Sequence, residues 1–212
     1  MARNAGPMSG IGFTLRSDQP ILKEVLLEQN MQIANRKIGP NEKPLVIAEL
    51  GINHGGDVEV AKYMVQLAAK SGCECIKHQT HFVEDEMTEA AKKIFPPNAE
   101  ISIWDVMSAC ALSKDDEIIL KNFTEDLGLI YLSTPFSRLA SDFLEEIGVP
   151  GFKIGSGEAD NLPLIRHIAK KGKPVIMSTG MQTIESIRQS VQILEDSLSL
   201  IHISEPTRRS AI

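Results

Sequence analysis

Two lysines stand where a folded chain normally places apolar side chains. Lys77 lies in the run Cys73–Gln79 (CECIKHQ), which reads as a strand, so its side chain is expected to share a face with Cys73, Cys75 and Gln79. Lys153, within Gly151–Ile154, repeats the situation with parity opposite to Phe152 and Ile154. An ammonium on a buried strand face needs an anion beside it, because burying it alone is costly. That anion is either a structural carboxylate or the phosphate or carboxylate of a ligand. Glu49 and Glu158 fit both roles, as ion-pair partners of the two lysines or as general acid and base. The runs Gly155–Glu158 (GSGE) and Ser178–Gly180 (STG) add hydroxyls and small residues that let backbone N–H groups approach an oxyanion. Together these residues describe an anion site.

The elements that must position them follow from apolar runs and turn residues. Leu45–Leu50 predicts a strand, and a helix follows from about Val58 to Lys70. After the Cys73–Gln79 strand comes a long polar connection, Thr80–Ile101, then a helical piece around Trp104–Cys110. Ser113, with Asp116 three residues on, opens a helix that stops at Gly128. Leu129–Ser133, Gly151–Ile154 and Val175–Ser178 predict three more strands, followed by helices over Ser137–Ile147, Pro163–Lys171 and Thr183–Leu194. Five strand–helix units in alternation imply parallel strands with right-handed crossovers, in a doubly wound sheet or a (β/α)8 barrel. No G-x-G-x-x-G follows the first strand. Polar residues instead gather at the C-terminal end of every strand: Glu49, then Lys77 and Gln79, Ser133 and Thr134, Lys153 with Ser156 and Glu158, and Ser178 with Thr179. That distribution favours the α/β class of parallel (β/α)8 TIM barrel, with only the first five β/α units present.

Composition narrows the function. The 212 residues are 42% hydrophobic and 24% charged, the balance of a globular protein, and the net charge of −6 argues against nucleic acid. Three cysteines make no disulfide framework and suit a reducing cytoplasm. No run approaches a membrane span, and the first 30 residues lack a signal-peptide core. His78, with the parity of Ile76, is expected to face the outer helices, and Trp104 to serve packing.

At this point the motifs become recognisable. AELGINHGG (Ala48–Gly56), IKHQTHFVEDEM (Ile76–Met87), STPFS (Ser133–Ser137), FKIGSGE (Phe152–Glu158) and STGM (Ser178–Met181) resemble the sialic acid (nonulosonic acid) synthase family, in family order and spacing. The resemblance implies condensation of phosphoenolpyruvate with an N-acylated hexosamine. It places Lys77, Thr134, Lys153, Ser156 and Ser178 at the phosphoenolpyruvate, Glu49, Gln79 and Phe136 near the acceptor sugar, and Glu158 beside the reacting centre. It also implies a divalent metal, manganese or magnesium, whose histidine ligands lie on later strands, so no metal ligand is expected in this chain. The full-length enzyme is expected to be a homodimer with a C-terminal antifreeze-like domain. Two other functions fit an inward lysine: a Schiff-base aldolase and a non-catalytic sugar-binding relative.

Both ends depart from the family pattern. Residues 1–30 read as an extension upstream of a fold beginning near Met31–Pro40, and residues 31–197 as the partial barrel. Leu198–Arg208 back-translates onto a transposase adapter used in sequencing libraries, so 198–212 is expected to be a non-native tail. The rival reading is a sixth strand over Leu200–Ile203. A five-unit open barrel is expected to leave strand edges unpaired and an apolar inner face wet, and the fragment inactive.

Overall fold

A computed structural model describes residues 31–39, 41–97 and 99–197, and the backbone of 202–205. The expected extension over 1–30 lies outside the described residues. So does the expected tail, apart from that short backbone stretch.

The described chain opens with a two-stranded antiparallel hairpin, β1 (Met31–Ile33) and β2 (Arg36–Ile38), turning through Ala34 at φ 50°. Then β3 (Ile47–Gly51), β4 (Cys75–Thr80), β5 (Ile130–Pro135), β6 (Phe152–Ile154) and β7 (Val175–Ser178) pair side by side in chain order, all parallel. A further strand, β8 (His202–Glu205), pairs in parallel with β7. It overlaps the segment that the sixth-strand reading names. A doubly wound sheet reverses its strand order at a switch point. Here the order runs unbroken, as do consecutive staves of a barrel.

Helices return the chain between staves and start where side chains can take up free N–H groups. α1 (Val58–Lys70) is capped by the Asp57 carboxylate, which accepts from the N–H groups of Glu59 and Val60. The connection expected as a long polar loop contains α2 (Val83–Glu86), a 3-10 turn over Glu89–Lys93, and α3 (Ile103–Cys110). α4 (Lys114–Asp126) begins at Ser113, whose hydroxyl accepts the Asp116 N–H at 3.1 Å and donates to the Asp116 carboxylate at 2.7 Å. α5 (Arg138–Glu146), α6 (Leu162–Ala169) and α7 (Ile184–Asp196) follow β5, β6 and β7. Among the described residues no helix is long and apolar enough to cross a membrane.

The sheet buries apolar side chains on both faces. Ile76, Tyr131, Phe152, Ile154, Val175 and Met177 face the helices and pack with Val65, Leu120, Leu144 and Ile165. On the opposite, inner face, Cys75, Leu132 and Ile176 pack against Met31 and Ile33 of the hairpin. The base of the inner face, expected to be wet, is therefore covered by β1–β2.

Cys73 corrects the expected strand face. It precedes β4 and packs with the helix-side cluster, whereas Cys75 lies in the inner one. The chain turns at Gly72 (φ 82°), and the N–H groups of Glu74 and Cys75 both bond to the Val46 carbonyl. Alternation cannot be counted back past Cys75, because that shared carbonyl breaks the regular ladder at Glu74.

Candidate functional site

Strand register brings the inner-face residues into rows above the hairpin-covered base. Glu49 pairs with Lys77, Lys77 with Leu132, Gln79 with Thr134, and Lys153 with Ile176. Lys77 and Lys153 thus share the face of Cys75, Leu132 and Ile176, and both are buried. Lys77 Nζ lies 2.9 Å from Glu49 Oε2, and the Lys153 ammonium donates to the Ser178 hydroxyl. Two cations on one buried face provide the charge an anionic ligand needs.

Thr134 stands at the C-terminal end of β5, 1% exposed, and its Oγ1 has no hydrogen-bond partner among the described residues. A buried hydroxyl without a partner costs about 1–3 kcal/mol. Such a cost is tolerable where a ligand supplies the missing bond. Gly155 helps to open this space, since a Cβ there would meet the Thr134 methyl at 3.7 Å.

Beyond β6 the chain makes a 3-10 turn over Ser156–Glu158, and the Ser156 carbonyl accepts from the Gln182 amide at 2.9 Å. Glu158 takes the Asn161 amide at 2.7 Å. Burial pushes its carboxyl above the ordinary glutamate value, and the negative charges of Asp160 and Glu86 push the same way. A carboxyl biased toward its protonated form suits a group that exchanges protons.

A second set of side chains converges on Gln79. His81 Nε2 lies 3.2 Å from Gln79 Oε1, and His81 Nδ1 lies 3.0 Å from both carboxylate oxygens of Glu86. Phe136 stacks on the His81 ring at 4.3 Å between centroids. Phe136 and Glu86 also line a cavity of about 260 Å³ with Arg138, Asn161 and Leu164. His81, Glu86 and Asn161 are absent from the sequence-derived site. His81 falls just past the strand, where alternation gives no facing, and Glu86 reaches it only because α2 folds the polar connection back.

His78 faces the helices, as its parity implies. Its Nε2 is 3.0 Å from Nε2 of His54, and its Nδ1 is 3.5 Å from the buried Glu117 on α4. Tyr131 donates to the same carboxylate at 3.0 Å, and Thr80 bonds to it as well. This network backs β4 from the helix side of the sheet. Among the described residues no group of three or more His, Cys, Asp or Glu side chains is arranged to hold a metal ion.

Known proteins share this arrangement of sequence and fold. The chain is 33% identical over 189 residues to the N,N'-diacetyllegionaminic acid synthase of Legionella pneumophila, covering 80% of this chain and 52% of that protein. It is 32% identical over 165 residues to the human N-acetylneuraminate-9-phosphate synthase, covering 76% and 45%. In structure it resembles the N-acetylneuraminic acid (sialic acid) synthetase of Leptospira borgpetersenii, with a TM-score of 0.74 and 29% identity over 83% of this chain and 58% of that one. The chain spans about half the length of the curated relatives it matches. Residues 64–205 match the model of the NeuB family, and the chain belongs to that family.

Proposed function

We propose that this chain forms the first staves of a (β/α)8 barrel whose whole enzyme condenses phosphoenolpyruvate with an N-acylated hexosamine, giving a nonulosonic acid and phosphate. The observation that carries the reading is the pair of buried inner-face lysines with the unpartnered Thr134 hydroxyl beside them. Phosphoenolpyruvate is a small ligand with two anionic groups, and Lys77 and Lys153 would neutralise its phosphate and carboxylate. The hydroxyls of Thr134, Ser156 and Ser178 would fix its orientation.

With the donor so held, its C3 attacks the aldehyde carbon of the sugar and a carbon–carbon bond forms. Positive charge then develops at C2, where the Glu158 carboxylate stabilises it. Water adds to C2, passing a proton to Glu158; the C2–O bond to phosphate then breaks as the new C2 hydroxyl releases its proton and becomes the ketone, and the former aldehyde oxygen takes up a proton as a hydroxyl. Glu49, Gln79 and Phe136 would border the acceptor. The expected divalent metal would be held by side chains outside the described residues and would polarise the sugar aldehyde. The whole enzyme is proposed to be a homodimer.

The test is phosphate release by the whole synthase that carries these residues. Release that requires both phosphoenolpyruvate and an N-acylated hexosamine, with a nine-carbon acid as product, supports the reading. A borohydride-trapped pyruvate adduct on Lys77 or Lys153 would instead establish a Schiff-base aldolase.

A further inference from the structure

We propose that His81 is a positioning residue: held in place by Glu86 and Phe136, its Nε2 orients the Gln79 amide at the barrel mouth. The inference rests on the synthase reading, in which Gln79 meets the acceptor sugar.

The geometry constrains the ring at every exit. Both oxygens of Glu86 lie 3.0 Å from His81 Nδ1. An ionised carboxylate only accepts, so Nδ1 must carry the hydrogen. Phe136 lies against the imidazole at an interplanar angle of 19° and blocks a swing of the ring. The side chains of His81 and Glu86 are 2% and 4% exposed, so water does not compete for these bonds. The remaining nitrogen, Nε2, faces the Gln79 amide at 3.2 Å.

An amide has a donor end and an acceptor end, and its neighbour decides which turns toward it. A charged His81 donates from Nε2, draws in the Gln79 oxygen, and leaves the NH2 group toward the mouth. A neutral His81 with hydrogen on Nδ1 accepts at Nε2 and reverses the amide. In either state His81 Nε2 sets the polarity that the Gln79 amide shows to a sugar, and Glu86 holds the ring so that Nε2 meets the amide. Glu86 from α2 faces the ring directly, and Asp85 and Arg138 line the same cavity as Glu86 and Phe136. On its far side the Gln79 amide lies over Gly51, where a Cβ would meet Nε2 at 3.8 Å.

Two measurements on the whole synthase test this. Long-range proton–nitrogen spectra should show His81 with Nδ1 protonated, and the Glu86→Gln variant should shift those resonances. Steady-state kinetics should show Glu86→Gln and His81→Asn each raising KM for the hexosamine at least fivefold, with KM for phosphoenolpyruvate within twofold of the parent. In a Gln79→Ala background the same substitutions should add less than twofold, because His81 acts through Gln79. A neutral His81 protonated on Nε2, or losses that multiply with that of Gln79→Ala, would overturn the proposal. Glu86→Gln preserves shape and keeps the test open should His81→Asn fail to fold. A synthase that releases no phosphate from phosphoenolpyruvate and sugar would sink the functional reading itself. Active enzyme with multiplying losses would sink the His81 assignment alone.

Discussion

Lys77 Nζ and Glu49 Oε2 stand 2.9 Å apart across the β3–β4 register, yet the lysine side chain is 8% exposed and the glutamate side chain 61%. The two partners are therefore unequal. Glu49 can turn into water at little cost, whereas Lys77 must keep some anion beside it. Under the proposed function the glutamate would act as a placeholder that an arriving phosphate or carboxylate displaces.

That asymmetry sets unequal mutational costs. Removing one member of a buried charge contact costs roughly 2–5 kcal/mol, or about 30- to 5,000-fold in affinity. An exposed ion pair contributes about 0–1 kcal/mol. Lys77→Met should accordingly weaken phosphoenolpyruvate binding by at least about 30-fold. Glu49→Gln should change it less than tenfold. Equilibrium titration of both variants with the donor alone checks the difference.

Thr134→Val should separate stability from binding. Valine matches threonine in shape but removes the unpartnered buried hydroxyl, so the ligand-free protein should hold or gain about 1 kcal/mol of stability. Affinity for phosphoenolpyruvate should fall about tenfold, as one hydrogen bond to a charged group is lost. Thermal melts with and without the donor would show a higher Tm when free and a smaller shift when bound. A lower Tm in the ligand-free variant would mean that the hydroxyl serves the fold.

The His54–His78 contact makes stability depend on pH. Burial, with the neighbouring His78 adding to it, lowers the His54 pKa from 6.5 to about 4. The unfolded chain therefore binds a proton between about pH 6.5 and 4 that the folded chain refuses, and stability falls as pH drops through that window. The loss should reach roughly 1–3 kcal/mol at the acid end. Denaturant unfolding at pH 7, 6 and 5 should show the decline, and His54→Asn should flatten it.

Gly56 should tolerate no side chain. Its φ is 83°, and a Cβ would lie 2.3 Å from the Ala109 carbonyl at the end of α3. Clash and strain together should cost about 2–3 kcal/mol, a fall in Tm of roughly 4–12 °C for Gly56→Ala. Gly55→Ala provides the comparison: its φ is 60°, but open space surrounds the added carbon, so only about 1 kcal/mol should be lost. Equal losses at the two positions would leave the contact with α3 without energetic weight.

Much of this architecture was legible in the chain, for identifiable reasons. The helix expected over Val58–Lys70 and the strand expected over Val175–Ser178 keep those bounds in the structure, because cap residues and apolar runs mark their ends locally. The facing of Lys77, Lys153, Gln79 and Thr134 follows from alternation within single strands. What stayed hidden depends on contacts between distant segments. The hairpin of β1 and β2 is three residues a side and carries little pattern of its own; its seat is Cys75, Leu132 and Ile176. Glu86 sits in a polar connection that reads as loop, and only the docking of α2 brings it to His81. Cys73 was misassigned because the strand begins only at Cys75, and the N–H groups of Glu74 and Cys75 converge on one carbonyl where regular alternation would need two.

The hairpin also has a consequence for how the chain comes off the ribosome. Met31 and Ile33 emerge long before Ile176, which completes the apolar seat they fill. During that interval of synthesis the cork exists without its bottle, and the three-residue strands have nothing lasting to grip. Slowing translation between β2 and β7 would prolong the exposure, while a chaperone that shields short apolar hairpins would shorten it.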